Sequence, residues 1–213
     1  MKKIAIIGAG GFGREVKMLI DHINQKENQF ELIGFFDDKE YDGQINGLPH
    51  LGKVSSVNDI DYPLGIAVAI ADPKIKKRII EGINNSNIEF PNLIHPTVII
   101  GDDNVKLGQG NIICASAIIT VDIEIEDFII LNLFCTVGHD TKIKSYSSFM
   151  PSVNISGEVI INNGVYVGTG AKIINLLEIG ENTIIGAGAV VSKSLPANCT
   201  AVGIPAKPIK FHE

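Results

Sequence analysis

The chain has 213 residues, of which 45% are hydrophobic and 20% charged, and its formal net charge is -6. This composition fits one large or two small folded domains and excludes a disordered chain. The acidic balance argues against a nucleic-acid surface, which needs clustered Lys and Arg, so no nucleic-acid partner is expected. A mean hydropathy of +0.23 invites a membrane reading. The most apolar run, residues 128–138, is however only about half a membrane span and contains Asn132, so no membrane partner is expected either.

The first residues, MKKIAIIGAGG, are basic and then apolar, like a leader. The apolar core runs only from Ile4 to Ile7 before glycines follow, and it reads as the first buried strand of a cytoplasmic protein. From Arg14 to about Ile23, Val16, Leu19, Ile20 and Ile23 recur at helical spacing. Residues 30–38 and 64–72 read as a second and a third strand. Asp72 then caps a helix with Pro73 at its first position, and Ile75, Ile79, Ile80 and Ile83 are expected on one face. Alternating strands and helices over residues 1–93 predict a small parallel sheet, a partial Rossmann-type domain.

Gly8-x-Gly10-x-x-Gly13 falls between the first strand and the first helix, as a dinucleotide fingerprint requires. Asp37 and Asp38 end the second strand, where an acid can accept from a ribose hydroxyl. The wound region stops after 93 residues, which supplies half a dinucleotide site. The mononucleotide portion of a substrate fits this better than NAD; glycines serving only a tight turn are the alternative.

From residue 94 the period changes. Every sixth residue from Leu107 to Val191 is apolar, and all but Phe149 are aliphatic. At the chain's own composition such a run arises by chance on the order of once in 100,000. Ile94 and Ile100 extend it backwards after a one-residue slip. This is the hexapeptide signature of a parallel β-helix, expected over residues 94–195 with a tail over 196–213. Three hexads make a triangular coil of 18 residues. Ile119, Val137, Ile155, Ile173 and Val191 should therefore stack on one wall, and Ile113, Leu131, Phe149, Val167 and Ile185 on another. Ala117, Cys135, Thr141, Ser147, Val165 and Ala171 are expected to face inward as well. Gly101, Gly108, Gly138, Gly168, Gly180 and Gly186 each follow a wall residue, where the corner is expected to need unusual backbone angles.

Cys114, Cys135 and Cys199 show no CxxC spacing and read as free buried thiols. No two of the five histidines lie within a helical turn of each other, so no metal centre is expected. His139 occupies an outward-facing column whose other members are mostly polar or small. An imidazole there is either a solvated surface group or a general base, and the adjacent Asp140 carboxylate would raise its basicity.

Taken together, IAIIGAGGFGREV, FFDD, NLFCTVGHDTKI, the hexads and the closing AVGIPAKPIK resemble bacterial nucleotide-amino-sugar acetyltransferases of the PglD/NeuD type over essentially the whole chain. The resemblance implies a left-handed β-helix, a homotrimer and acetyl-CoA as cosubstrate, with no metal. It implies His139 as general base and Asp140 as its acidic partner, with Asn132 helping to orient the site. The nucleotide-sugar site maps onto Gly10, Gly11, Phe12, Asp37, Asp38 and Ala71; Phe12 stands where some sugar N-acetyltransferases have histidine. Acetyl-CoA contacts map onto Ser148, Thr169, Ala187 and, in the tail, Lys207. The expected activity is N-acetylation of a nucleotide-linked amino sugar in surface-glycan biosynthesis. The alternatives are O-acetylation of sialic acid within the same family and a non-catalytic nucleotide-sugar-binding module. An NAD-dependent oxidoreductase and a metal-dependent carbonic anhydrase are weaker readings, the latter because His95 and His139 do not assemble a three-histidine ligand set.

Overall fold

In the computed structural model, which describes residues 1–212, the first apolar run forms strand β1 (Lys2–Ile7) with Ile4 to Ile7 fully buried. Helix α1 (Gly11–Lys26) buries the expected stripe of Val16, Leu19, Ile20 and Ile23. Strands β2 (Phe30–Phe36), β3 (His50–Gly52), β4 (Leu64–Val68) and β5 (Ile88–Glu89) complete an all-parallel sheet in the order β3-β2-β1-β4-β5. The short strands β3 and β5 are additions to the sequence reading, since two or three residues carry no legible period. Helix α1 covers one face of this sheet and helix α2 (Pro73–Glu81) the other.

The start of α2 is as expected: Pro73 opens it, and the Asp72 carboxylate accepts from the Ile75 N–H at 2.9 Å. Its buried face is so only in part: Ile79, Ile80 and Ile83 pack on the sheet's cluster as expected, but Ile75 does not. Ile75 is 40% exposed, whereas Lys76 is 1% exposed beside buried Ile80. The reason is tertiary: α2 packs against its own sheet and also against the hexapeptide region, and the latter contact claims Lys76.

That region is a parallel β-solenoid of two- and three-residue strands arranged in three walls. The first wall contains Leu93–Ile94, Ile112–Ile113, Ile130–Leu131, Ser148–Phe149, Tyr166–Val167 and Ile184–Ile185, and ends in Cys199–Val202 and Lys207–Phe211. The second runs from Ile99–Ile100 through Thr136–Val137 to Val190–Val191, and the third from Val105–Leu107 to Glu178–Ile179. Both expected apolar stacks form, with Ile119, Val137, Ile155, Ile173 and Val191 in register and Ile113, Leu131, Phe149, Val167 and Ile185 likewise. The slip is present too: Ile100 pairs with Ile119, whereas Leu107 pairs with Ile125. Ala117, Cys135, Thr141, Ser147, Val165 and Ala171 are buried inside as expected.

Each corner is turned by one left-handed residue, and these recur at every sixth position from Asn104 to Gly188. Most are not glycine, as Phe134 (φ 59°), Asp140 (φ 56°) and Leu176 (φ 60°) illustrate. A left-handed L-residue costs about 1–2 kcal/mol, and the ladder of backbone hydrogen bonds between coils holds it there. The glycines that follow wall residues, such as Gly138 and Gly168, are not the left-handed ones. A Cβ on Gly138 would lie 2.6 Å from the Gly157 nitrogen, and one on Gly168 would lie 2.5 Å from the Ala187 nitrogen. Close approach of stacked coils, not backbone angle, requires glycine there.

The α/β part docks on the outer face of the first wall. Leu93, Ile112 and Ile130 join the cluster under α1, and Phe128 stacks on Tyr146 with centroids 5.7 Å apart while meeting Phe90 edge-on. At the far end of α1, His22 Nδ1 lies 2.9 Å from His95 Nε2. His95 Nδ1 accepts from the Thr97 N–H at 3.1 Å, which assigns the proton to Nε2 and makes His95 the donor. Burial, then the neighbouring His22, lowers the His95 pKa and favours this neutral form. No helix among the described residues is long and apolar enough to cross a membrane.

Lys76 completes the dock, with Nζ 2.8 Å from Ser148 Oγ and 3.3 Å from the Ser147 carbonyl oxygen. Burial lowers its pKa from 10.5 to about 7, partly offset by the Asp72 carboxylate. Between these values the unfolded chain retains a proton that the folded chain has released, so stability rises with pH across that window. The slope is on the order of 1 kcal/mol per pH unit. Chemical denaturation at pH ~7 and ~9.5 should show the wild type gaining more stability than Lys76→Met, the difference being this one group. In the solenoid, Phe149 is fully buried. Phe149→Ala should lower the unfolding free energy by about 3–5 kcal/mol, measured in the same way.

Candidate active site

The His139 corner follows the second-wall strand Thr136–Val137. The backbone is pinned there by neighbouring coils: Gly138 N–H donates to Ile155 O at 2.9 Å, and Glu158 N–H donates to His139 O at 2.8 Å. Left-handed Asp140 turns its carboxylate back toward the imidazole, and Oδ2 lies 2.8 Å from His139 Nδ1. Both side chains are 57% exposed. The ionised carboxylate can only accept, so Nδ1 is the protonated nitrogen, leaving Nε2 as the unprotonated one. Such an arrangement can take a proton from a reacting group.

The glycine loop lies between β1 and α1. Gly8 is left-handed (φ 96°), and a Cβ on Gly13 would lie 1.8 Å from the Gly8 carbonyl oxygen, so the turn itself requires these two. A Cβ on Gly10 or Gly11, by contrast, would meet nothing within 4 Å. The turn alone therefore does not account for Gly10 and Gly11, which expose backbone at the start of α1 where an anion can approach. Phe12 is half-buried and packs on the same apolar cluster as Leu133 of the solenoid, tying the loop to that corner.

Asp37 holds the loop in place. Its Oδ2 accepts from the Ala9 N–H at 2.7 Å and its Oδ1 from the Lys39 N–H at 2.9 Å, while Asp38 Oδ1 accepts from the Val54 N–H at 3.0 Å. Both acids thus shape the loops around the β-strand ends, with lone pairs left over for a ligand. Half-buried Ala71, after β4, opens onto a cavity of about 470 Å³ between α2 and the first wall, bordered by Asp72, Pro73, Tyr166, Asn182, Ile184 and His212. The sequence reading missed this cavity, because its walls come from segments more than 90 residues apart.

Along the corner between the first and second walls, Thr169 and Ala187 are exposed and stacked, joined through the Gly188 N–H and the Thr169 carbonyl at 2.8 Å. Exposed Lys207 continues this track, since it pairs with Val202 and Val202 lies over Gly186. The structure therefore gathers Thr169, Ala187 and Lys207 on one edge.

One expectation needs correction. Ser148 is fully buried and spends its hydroxyl on Lys76, so it offers nothing to acetyl-CoA; docking of the α/β part covers this outward position. Asn132 is also buried, its Oδ1 accepting from the adjacent Leu133 N–H at 2.7 Å. It braces the corner between the first and second walls, whereas His139 turns the corner between the second and third. No three His, Cys, Asp or Glu side chains converge as metal ligands among the described residues.

A family model for the PglD N-terminal domain matches residues 3–83. The GDP-perosamine N-acetyltransferase of Escherichia coli O157:H7 is 33% identical over 99% of this chain and 97% of its own. Among solved structures, the acetyltransferase domain of PglB from Neisseria gonorrhoeae FA1090, in complex with acetyl coenzyme A, superposes with a TM-score of 0.88 at 31% identity, covering 98% of this chain and 99% of that one. PerB from Caulobacter crescentus, in complex with CoA and GDP-perosamine, gives 0.83 at 26% identity, covering 99% and 98%. With its solenoid, its glycine loop and its full-length match to these proteins, the chain belongs to the PglD-type family of sugar N-acetyltransferases.

Proposed function

We propose that this protein transfers the acetyl group of acetyl-CoA to the amine of a nucleotide-linked amino sugar, with His139 as general base. The observation that carries the reading is the 2.8 Å contact between His139 Nδ1 and Asp140, which leaves Nε2 bare on an exposed corner. As the amine attacks the thioester carbonyl, Nε2 takes its proton and Asp140 stabilises the imidazolium. The carbonyl carbon then expels the CoA thiolate, and the proton held on Nε2 is free to neutralise it. General-base assistance of this kind is worth about 100- to 10,000-fold. The nucleotide is assigned to Gly10, Gly11, Phe12, Asp37, Asp38 and the cavity beside Ala71. The cofactor is assigned to the edge formed by Thr169, Ala187 and Lys207. GDP-perosamine, bound by PerB, is the first acceptor to test.

The domain assignment follows: residues 1–93 for the nucleotide, 94–195 for the solenoid carrying the base, and 196–213 for the tail beside the cofactor. The working unit is a homotrimer in this reading. Within one chain His139 and the Thr169–Ala187 edge occupy different corners, separated by the width of the second wall, roughly 15–20 Å at strand rise. A second copy must bring its own corner alongside to close the site. The setting that goes with the family is bacterial surface-glycan biosynthesis in the cytoplasm.

Thiol release from acetyl-CoA over a panel of nucleotide-linked amino sugars, with free sialic acid as the O-acetylation control, tests the reaction. His139→Ala should lower kcat by about 100- to 10,000-fold with nucleotide binding retained; undiminished turnover would remove His139 as the base. Ala187→Phe, on the exposed edge, should raise KM for acetyl-CoA about tenfold, equivalent to about 1.4 kcal/mol of binding, without lowering the melting temperature. An unchanged KM would place the cofactor elsewhere.

A further inference from the structure

We propose that Gly157 is the positioning residue for His139: the absence of a side chain at 157 is what allows the imidazole to sit against Asp140 with Nε2 uncovered. The inference rests on the reading of His139 as the base. Gly157 stands 18 residues after His139, directly above it on the corner between the second and third walls. The neighbouring positions of that column are Val121, His139, Asn175 and Lys193, so the corner itself tolerates large side chains.

Backbone conformation does not require this glycine. The left-handed residue of its turn is the next one, Glu158 (φ 58°), and Gly157 lies outside that region. Coil-to-coil approach does not require it either. A Cβ on Gly138 would strike backbone, 2.6 Å from Gly157 N and 2.7 Å from Ser156 C. A Cβ on Gly157 would instead have three nearest neighbours that all belong to the His139 ring: Cε1 and Nε2 at 2.5 Å and Cδ2 at 2.9 Å. No real Cβ sits that close, so one of the two groups must move.

The backbone on both sides is fixed. Leu176 N–H donates to Gly157 O at 3.2 Å, Glu158 N–H to His139 O at 2.8 Å, and Gly138 N–H to Ile155 O at 2.9 Å. The half-exposed imidazole is the movable part. Rotating it away lengthens the Nδ1···Asp140 contact and shifts Nε2 from the place where an amine proton would be delivered. Of the two glycines on this corner, Gly138 therefore serves the stacking of the coils and Gly157 serves the ring.

The test uses the full chain with histidine ring nitrogens labelled for NMR, in wild type, Gly157→Ala, His139→Ala and the double variant. Wild type should show His139 protonated on Nδ1, and Gly157→Ala should lose that signature. The same variant should lower kcat by about 10- to 100-fold while leaving KM for acetyl-CoA unchanged. Its melting temperature should fall relative to wild type, but the double variant should melt no lower than His139→Ala, because the clash partner is gone. Unchanged His139 resonances in Gly157→Ala would overturn the proposal. So would equal destabilisation by alanine in both backgrounds, which would mean that the glycine serves the backbone. If His139→Ala proves fully active, the base reading fails, and the resonances and the melting cycle still decide the role of Gly157.

Discussion

The structure depends on parallel pairing between coils 18 residues apart. Each two-residue strand is too short to stand alone, and it persists because its N–H and C=O groups are bonded to the coils on either side while its inward side chain stacks on apolar neighbours. The same pairing holds Phe134, Asp140 and Leu176 in the left-handed conformation, which none of them would favour in isolation. It also makes every outward position part of a straight column. Thr169 under Ala187, and His139 under Gly157, are neighbours for that reason alone.

The α/β part converts one wall of this scaffold into a platform. Its contact with the first wall combines the apolar cluster under α1 with polar bonds from Lys76 and His22. A buried amine with hydroxyl and carbonyl partners only is held at an electrostatic cost, and its directional bonds fix how α2 lies on Ser148. Through this contact, and through Phe12 packing on the cluster that also holds Leu133, the glycine loop acquires a definite position relative to the solenoid corner.

The proposed chemistry needs little from the protein interior. His139 and Asp140 are both more than half exposed, their mutual geometry coming from a left-handed corner and a glycine floor. In the proposed reaction, a base displayed in this way needs a second element that excludes water and delivers the thioester. One chain offers an edge and a corner on separate sides of a prism, which supports the proposed assembly.

Much of this was legible in the sequence because the determinants are local or strictly periodic. The six-residue spacing of Ile155, Ile161 and Val167, the cap at Asp72 and the strand at Ile4–Ile7 each depend on residues within a few positions, or on a repeat that any coil satisfies. The outward direction of His139 followed from the same period. What the tertiary structure alone decided involves contacts between segments that share no period. Ser148 points outward by its register, yet it is buried because α2 lands on it. Lys76 is turned inward, against its charge, because that same landing gives it a hydroxyl and a carbonyl to bond. Gly157 looks like any corner glycine until the imidazole stacked beneath it shows which atoms a side chain there would meet. The sequence by itself determined the two halves of the fold and the placement of the histidine on a surface column. The docking of one half on the other, and hence which outward residues remain available for chemistry, was settled only by three-dimensional packing.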